Sequence, residues 1–232
     1  MSDASKLVSF SSLKLGITVL VAIAILTLAY QLTRDRIAEQ QRRAELRGIM
    51  EILPADIYDN DILADVIPVQ SELLGDAPES NRPAALENRK IYRARKNGQP
   101  VAAVMQVTAP GGYNGNIELL VGVLLDGRLS GVRVTSHKET PGLGDGIELR
   151  VSEWVLAFTG KSLGQPPTDR WKVERDGGDF DQFTGATITP RATVAAVRKS
   201  LEYFAAQRDI LFTETGDSTP SQESDPDGNT NG

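Results

Sequence analysis

The sequence predicts an α+β protein: a single N-terminal transmembrane helix, followed by one domain with a mostly antiparallel sheet and flanking helices. Three observations support this prediction. Leu15 to Thr33 is a run of 19 residues without a charge. Strand-like segments flank Asn97-Gly98 and again Asp126-Gly127, which are dipeptides typical of tight hairpin turns. Pro190 to Leu211 has the apolar spacing of a long helix.

The apolar run is long enough to cross a bilayer, because its 19 residues rise by about 1.5 Å each and cover roughly 28 Å. A cleaved signal peptide is the alternative. Its apolar region is normally shorter, and no clear small-x-small cleavage site follows this run. We therefore assign residues 13–33 to an uncleaved membrane anchor.

The charges around the anchor favour a cytoplasmic location for the rest of the chain. Lys6 and Lys14 precede the anchor, whereas several arginines follow it: Arg34, Arg36, Arg42, Arg43 and Arg47. A count of Lys and Arg would therefore keep the C-terminal side in the cytoplasm. Long domains are translocated largely regardless of this count, so the charges alone do not decide the orientation.

Residues 34–87 are predicted to form a juxtamembrane helix and a connector. Ile37 to Leu53 contains good helix formers and ends before Pro54. Short apolar pieces follow, interrupted by Pro68, Gly75, Pro78 and Pro83. We expect a poorly patterned connector that wraps the domain.

Residues 88–213 are predicted to form the compact domain. Its first hairpin joins Ile91–Arg95 to Val101–Val107, and its second joins Ile117–Leu125 to Leu129–Thr135. The strand that begins at Ile117 is apolar enough to lie inside the sheet. A helix over Ile147–Phe158 and a short edge strand at 171–173 are expected next.

The last helix is predicted over Pro190–Leu211, with Thr189 as N-cap and Pro190 at the first helical position. Residues 214–232 are almost all polar or acidic, so we expect a disordered acidic tail.

Composition excludes several classes of function. The chain has no cysteine, which excludes disulfides, thiolate zinc sites and protein-bound iron–sulfur clusters. A net charge of −6 makes nucleic acid an unsuitable partner. We find no Rossmann turn for NADH, no Ser-His-Asp set and no carboxylate cluster for a metal. We therefore predict no catalytic side chain and no metal, and any electrons must be carried by an organic cofactor or by another subunit.

The segment before the last helix is suited to an anion. Thr184-Gly185-Ala186-Thr187 has small side chains and a flexible glycine just before a helix N-terminus, where free backbone N–H groups stabilise a phosphate. Three cations are candidate partners for that phosphate: Arg133, Lys138 and Lys172. The simpler interpretation is that Thr187 and Thr189 only cap the helix.

The run Asp181-Gln182-Phe183-Thr184-Gly185-Ala186-Thr187 closely resembles the D-x-x-[ST]-G-A-T signature of FMN-binding subunits in membrane redox complexes. Other segments in the same order resemble the G subunit of the Rnf (Rsx) electron-transport complex, and the resemblance covers nearly the whole chain. These segments are Gly111-Gly112-Tyr113, Glu118–Gly122, Thr135–Asp145 and Asp176–Asp181.

The resemblance implies one FMN per chain, bound covalently through a phosphoester to Thr187. In the family, a flavin transferase moves FMN from FAD onto the threonine. The resemblance implies that this enzyme recognises a signature that contains Asp181. It also implies cofactor contacts from the neighbours of Thr187 and from a Gly-rich loop that packs around the flavin ring: Thr184, Gly185, Ala186, Thr189, Glu139, Thr140, Gly142, Leu143 and Gly144. His137 is more simply a hydrogen-bonded residue, and Tyr113 and Trp171 are more simply core than flavin-stacking residues.

By resemblance, the chain is an electron-relay subunit of an ion-translocating oxidoreductase, without activity of its own. It would lie in the bacterial inner membrane as a single-pass protein, bound to the other subunits. Residues 1–12 would form a cytoplasmic N-terminus, and the large domain would lie in the periplasm. The complex couples electron transfer between NADH and ferredoxin to ion movement, and in some bacteria keeps a redox-responsive transcription factor reduced. Two alternatives remain: the C subunit of the sodium-translocating NADH:quinone reductase, and a flavin-free membrane-anchored assembly module.

Overall fold

The first helix, α1, runs without a break over Asp3–Met50 in this computed structural model, which describes residues 3–69, 71–74 and 89–213. A separate juxtamembrane helix is therefore not formed, because no proline or glycine interrupts the chain between Thr33 and Ile37. Gly16–Met50 is long and apolar enough to cross a membrane, and large side chains such as Leu20 and Leu26 are exposed along it. The acidic tail expected over 214–232 lies outside the described residues.

The chain divides into two compact units, Met1–Arg47 and Gly48–Gly232. The second unit thus begins well before residue 88, the boundary that the sequence pattern indicated. Part of the connector is built into it, since Ile62 and Leu74 are buried. The connector also supplies a short strand, β1 (Val66–Pro68), to the sheet.

Five strands form one antiparallel sheet in the order β1-β2-β3-β4-β5, which confirms the predicted fold class. The further strands are β2 (Lys90–Lys96), β3 (Gln99–Gly112), β4 (Gly115–Leu124) and β5 (Leu129–Ser136). Both predicted hairpins are present. Asn97 and Gly98 have φ of 50° and 75°, the left-handed conformation that a two-residue turn between Lys96 and Gln99 requires.

Both faces of the sheet are covered. Helix α2 (Ile188–Thr213) packs against β3 and β4, on the face that carries Met105 and Val121. The opposite face includes the paired residues Gly122 and Gly131, and a Cβ on Gly131 would lie 3.1 Å from Ile52. The glycine therefore makes room for the buried Ile52. Burial on both faces explains the nearly continuous apolar sequence of β3 and β4.

The chain between β5 and α2 folds into short 3₁₀ helices: Asp145–Ile147, Trp154–Phe158, Thr168–Arg170 and Glu174–Asp176. The α-helix expected over Ile147–Phe158 is wrong. The Ser152 hydroxyl donates to the Gly146 carbonyl at 2.6 Å and accepts from the Trp154 N–H at 3.2 Å, so it replaces helical backbone bonds. The expected edge strand at 171–173 is also absent from this described segment, where Val173 forms a single bridge to Phe180.

An aromatic cluster replaces regular structure as the core of this segment. The Phe158 and Phe180 rings stack with centroids 4.8 Å apart, and Trp171 lies 5.0 Å from Phe180. All three are almost fully buried. Burying each large aromatic side chain stabilises the fold by roughly 2 to 3 kcal/mol.

A buried ionic cluster joins the start of β1 to the C-terminus of α2. Asp65 accepts hydrogen bonds from Arg93 at 2.5 Å and from Arg95 at 2.8 Å. The two guanidinium groups donate onward to the last carbonyls of α2, on Leu211 and Phe212, each at 3.3 Å. Cations at a helix C-terminus stabilise its free carbonyls and its dipole. Asp65 therefore pairs with both of the cations that cap α2.

We expect Asp65→Ala to lower the free energy of unfolding of the full chain by about 2 to 3 kcal/mol, because it removes the carboxylate beside the nearly buried Arg93. Asp209→Ala is the control. It removes an exposed pair with Arg208 and should change stability by less than about 0.5 kcal/mol. Urea unfolding in detergent, followed by tryptophan fluorescence, measures both. Equal effects of the two substitutions would contradict the cluster's role.

Candidate functional site

Helix α2 begins directly after Thr187. The Thr187 carbonyl accepts the Arg191 N–H at 3.2 Å, the first hydrogen bond of the helix, so Thr187 occupies the N-cap position. The predicted start at Pro190 is therefore two residues late. Thr189 lies inside the first turn rather than at the cap, and Pro190 occupies a position where an N–H would have no partner within the helix.

A tight turn presents Thr187. The Ala186 N–H donates to the Phe183 carbonyl at 3.1 Å, and Gly185 has a φ of 81° at the third turn position. That conformation is strained for other residues and explains the glycine. Thr184 and Gly185 are exposed, whereas Ala186 and Thr187 are half-buried. The turn thus leaves the Thr187 side chain partly open to solvent beside a rigid helix end.

Arg175 is the cation at the Thr187 hydroxyl. Its Nη1 donates to Thr187 Oγ1 at 3.5 Å, and its backbone N–H donates to the Gln182 side chain at 2.9 Å. The neighbouring Asp176 accepts two hydrogen bonds from Arg191, at 2.6 and 2.8 Å. The Arg191 guanidinium lowers the pKa of the Asp176 carboxyl.

Sequence reasoning missed Arg175, because a lone arginine in an irregular segment carries no signal of its own. Of the cations it suggested, Arg133 instead donates to Glu51 at 3.1 Å. Lys138 and Lys172 are exposed.

The Glu139 carboxylate joins three parts of the site. It is buried, and it accepts the backbone N–H groups of Tyr113 at 3.3 Å and Asn114 at 3.1 Å. It also accepts the hydroxyl of Thr189, which lies in the first turn of α2. The tip of the β3–β4 hairpin, the loop after β5 and the start of α2 are therefore fixed around one anion.

The Gly-rich loop approaches the start of α2 closely. A Cβ on Gly144 would lie 2.8 Å from Glu139 Oε2 and 2.9 Å from Thr189 Oγ1, so no side chain fits there. The exposed Leu143 contacts Gly185, where a Cβ would lie 3.9 Å from its Cδ2. Gly142 has a φ of 78° and open space around it. Thr140 accepts from the Asn114 side chain at 3.0 Å.

His137 fixes the start of this loop. Its Nδ1 accepts the Glu139 N–H at 2.9 Å, so Nε2 is the nitrogen that faces Glu148. Glu148 also pairs with Arg150, whose side chain, followed by His137, lowers the pKa of the Glu148 carboxyl to about 2. Glu148 thus holds the start of the loop through His137. A cavity of about 540 Å³ adjoins it, lined by residues 134–137, Glu139, Pro141, Asp145, Glu148 and Arg150.

The aromatic candidates separate clearly. Trp171 is 2% exposed and belongs to the core, whereas Tyr113 is 68% exposed at the hairpin tip. Trp154 takes a role that the sequence did not suggest. Its indole N–H donates to the Asp181 carbonyl at 2.8 Å. Its ring meets the Phe183 ring edge-on, with the two ring centroids 5.4 Å apart. These contacts fix the backbone at Asp181, whose side chain is exposed.

The predicted site residues therefore converge on one surface. Hydrogen bonds and close contacts join residues 139–144 to residues 184–189, although the two segments are far apart in sequence. Within the described residues, no group of three or more His, Cys, Asp or Glu side chains is arranged to hold a metal ion.

Comparison with known proteins identifies the class to which this fold and site belong. The family described as FMN-binding domain matches residues 112–202, which include both segments of the site. A second family, described as RnfG N-terminal region, matches residues 1–52. The chain therefore resembles an FMN-binding domain that is preceded by this N-terminal region.

Curated relatives define the family more closely. The chain is 52% identical to the G subunit of the ion-translocating oxidoreductase complex from Pseudomonas aeruginosa (strain UCBPP-PA14), over 87% of this chain and 91% of the relative. The protein of the same name from Shewanella amazonensis is 46% identical, over 83% and 86%. That from Vibrio atlanticus is 42% identical, over 88% and 93%. The chain belongs to the family of G subunits of ion-translocating oxidoreductase complexes, as the sequence motifs indicated.

The low pKa of Glu148 predicts a specific loss of stability in acid. As the pH falls from 4.5 towards about 2, the unfolded state binds the proton first, so folding is weakened across this range. We expect Glu148→Gln to lower stability at neutral pH by about 2 kcal/mol, after discounting for the exposed Arg150. The difference from the unsubstituted chain should vanish near pH 2. Glu153→Gln, an exposed control, should follow the unsubstituted chain, and parallel curves for Glu148→Gln would exclude this linkage.

Proposed function

We propose that this chain carries FMN as a phosphoester on the Thr187 hydroxyl and relays electrons as the G subunit of an ion-translocating oxidoreductase complex. The observation that supports this most directly is the position of Thr187. It caps α2 at the end of an exposed turn, with its hydroxyl beside the Arg175 guanidinium. The FMN-binding domain family matches the segment that contains it.

The residues at Thr187 fit a phosphate. The first turn of α2 offers backbone N–H groups without a helical partner, and its dipole favours an anion. Arg175 adds a full positive charge at 3.5 Å from the Oγ1 atom. The exposed Gly185 leaves the approach free of a side chain. A half-buried hydroxyl in this setting is accessible to a modifying enzyme and is still held by the helix.

The Gly-rich loop fits the ring system of the same cofactor. Its glycines allow backbone to approach a flat ligand, and the exposed Leu143 offers an apolar surface beside Gly185. The Glu139 carboxylate accepts three hydrogen bonds and so holds this loop against α2. We propose that Glu139 and Gly144 position the loop, while Thr140, Gly142 and Leu143 face the cofactor, as do Thr184, Gly185 and Ala186.

Attachment of the cofactor is a balanced phosphoryl transfer. Thr187 Oγ forms a bond to the FMN phosphorus of FAD, the pyrophosphate bond breaks, AMP leaves, and the hydroxyl proton is released. A flavin transferase would catalyse this step and read the exposed Asp181. When bound, the flavin supplies the electron-transfer chemistry, and this chain supplies tethering, orientation and charge. No electron is gained or lost in the attachment itself.

The membrane location follows from the same proposal. We propose that α1 anchors the chain in the inner membrane with residues 48–232 on the periplasmic side, beside the other subunits of the complex. A covalent bond keeps the cofactor from being lost by dilution at such a surface. In this arrangement the chain passes electrons between subunits linked to NADH and ferredoxin, and has no activity alone.

Two other functions are the alternatives to this proposal. The C subunit of the sodium-translocating quinone reductase would carry the same modification, but the curated relatives described above are named as G subunits of an ion-translocating oxidoreductase complex. A flavin-free assembly module would remain colourless after purification. Covalent loading therefore separates the electron carrier from the assembly module.

We expect the full chain, produced with a flavin transferase, to gain the mass of one FMN less one water and to fluoresce in a denaturing gel. Thr187→Ala should lose both signals, because it removes the nucleophilic oxygen, whereas Thr187→Ser should keep them. Thr159→Ala is the control, since it removes an exposed threonine hydroxyl outside the site and should keep both signals. If the wild-type chain stays unmodified under conditions that load a known relative, the electron-carrier proposal is wrong.

Asp181→Asn tests recognition by the transferase. The Asp181 carboxylate is exposed, and the Trp154 indole holds its backbone carbonyl rather than its side chain. We therefore expect the substitution to keep the fold and to slow flavin attachment about ten-fold or more. Mass spectrometry over a time course gives the rate. Asp179→Asn serves as a nearby control, and an unchanged rate for Asp181→Asn would remove Asp181 from the recognition signature.

A further inference from the structure

The turn that carries Arg175 is built to hold one guanidinium at Thr187. Glu174–Asp176 is a 3₁₀ helix that ends at Gly177, with a left-handed φ of 83°. The next residue, Gly178, packs so closely that a Cβ would lie 1.8 Å from the Lys172 carbonyl oxygen. The backbone that follows Arg175 therefore needs glycine at both positions to make this turn.

Two further contacts fix this turn to the attachment segment. The Arg175 N–H donates to the Gln182 side chain at 2.9 Å, which ties the turn to the run that precedes Thr187. Asp176 accepts both nitrogens of Arg191 from the first turns of α2. Arg191 therefore donates to a carboxylate, whereas Arg175 donates to the Thr187 hydroxyl.

We propose that Arg175 is the phosphate-binding residue of this site, and that Asp176 and Arg191 position it. This inference rests on the proposed attachment at Thr187 and adds the residue that carries the counter-charge. A phosphodiester on Thr187 retains one negative charge beside the oxygen that Arg175 already contacts. During the transfer from FAD, the phosphorus becomes pentacoordinate and more charge develops on its free oxygens, so the guanidinium would stabilise that state as well as the product.

The ion pairs near Thr187 agree with this assignment of Arg175. Asp176 is neutralised by Arg191, and the Arg191 guanidinium lowers its pKa, so it keeps its charge and its pair. Asp179 is paired with Arg170 on the preceding 3₁₀ turn. Arg133, one of the three partners suggested by sequence, pairs with Glu51. The described pairs thus leave Arg175 directed to a hydroxyl rather than to a carboxylate.

The test compares full-length variants in detergent, incubated with FAD and a flavin transferase. We expect Arg175→Gln to slow attachment about ten-fold or more, because a charge-assisted hydrogen bond to the reacting phosphate is lost. Arg175→Lys should give an intermediate rate, since it restores the charge without the planar fork. Arg170→Gln is the matched control: it makes the same change of charge on a nearby turn and should leave the rate unchanged.

A second measurement does not depend on the rate. In chains that have been fully loaded, the ³¹P resonance of the attached phosphate should shift in Arg175→Gln and stay in place in Arg170→Gln. Circular dichroism of each unloaded variant confirms that it is folded. Equal rates and equal ³¹P shifts for Arg175→Gln and wild type would overturn the role of Arg175 while attachment at Thr187 stands. An unmodified wild-type chain would instead overturn the proposed function itself.

Discussion

The buried carboxylate of Glu139 is the interaction on which the site depends. Its three donors come from separate parts of the chain: two backbone N–H groups at the β3–β4 hairpin tip and the Thr189 hydroxyl on α2. A buried anion must be satisfied in this way, because an unpaired charge away from water is costly. The same requirement fixes the geometry. These hydrogen bonds bring the Gly-rich loop against the start of α2. Gly144 then lies too close to Glu139 and Thr189 to carry a side chain.

The sequence predicted the sheet well because its signals there are local. Asn97-Gly98 and Asp126-Gly127 each demand a specific turn, and the flanking strands alternate or run apolar as a covered sheet requires. The segment between β5 and α2 could not be predicted in the same way. Its apolar residues at Ile147–Phe158 have a helical spacing, but the Ser152 hydroxyl competes for the backbone, and packing of Phe158 against Trp171 and Phe180 decides the outcome. Such long-range packing leaves no periodic pattern.

The residues of the candidate site also differ in how far the sequence predicts them. The sequence singled out the Thr187 segment and the Gly-rich loop, since each carries a dense motif of small residues, and the two segments lie together in the fold. Arg175 was not found, because its position depends on a 3₁₀ turn, on Gly178 and on the Asp176–Arg191 pair, which are separated in sequence and meet only in the fold. The helix start was displaced by two residues for a related reason. Both Thr187 and Thr189 are plausible caps, and only the bond from Thr189 to Glu139 shows which of them is already engaged.

The different contacts of the two threonines support Thr187, and not Thr189, as the proposed attachment site. Both hydroxyls lie at the start of α2, within two residues of each other, and both are chemically able to form a phosphoester. Thr189 is 1% exposed and donates to a carboxylate, which would repel an incoming phosphate. Thr187 is half-buried and accepts from a guanidinium, which would attract one. Charge and access therefore act together, and the electrostatic environment separates two identical side chains more sharply than the sequence motif does.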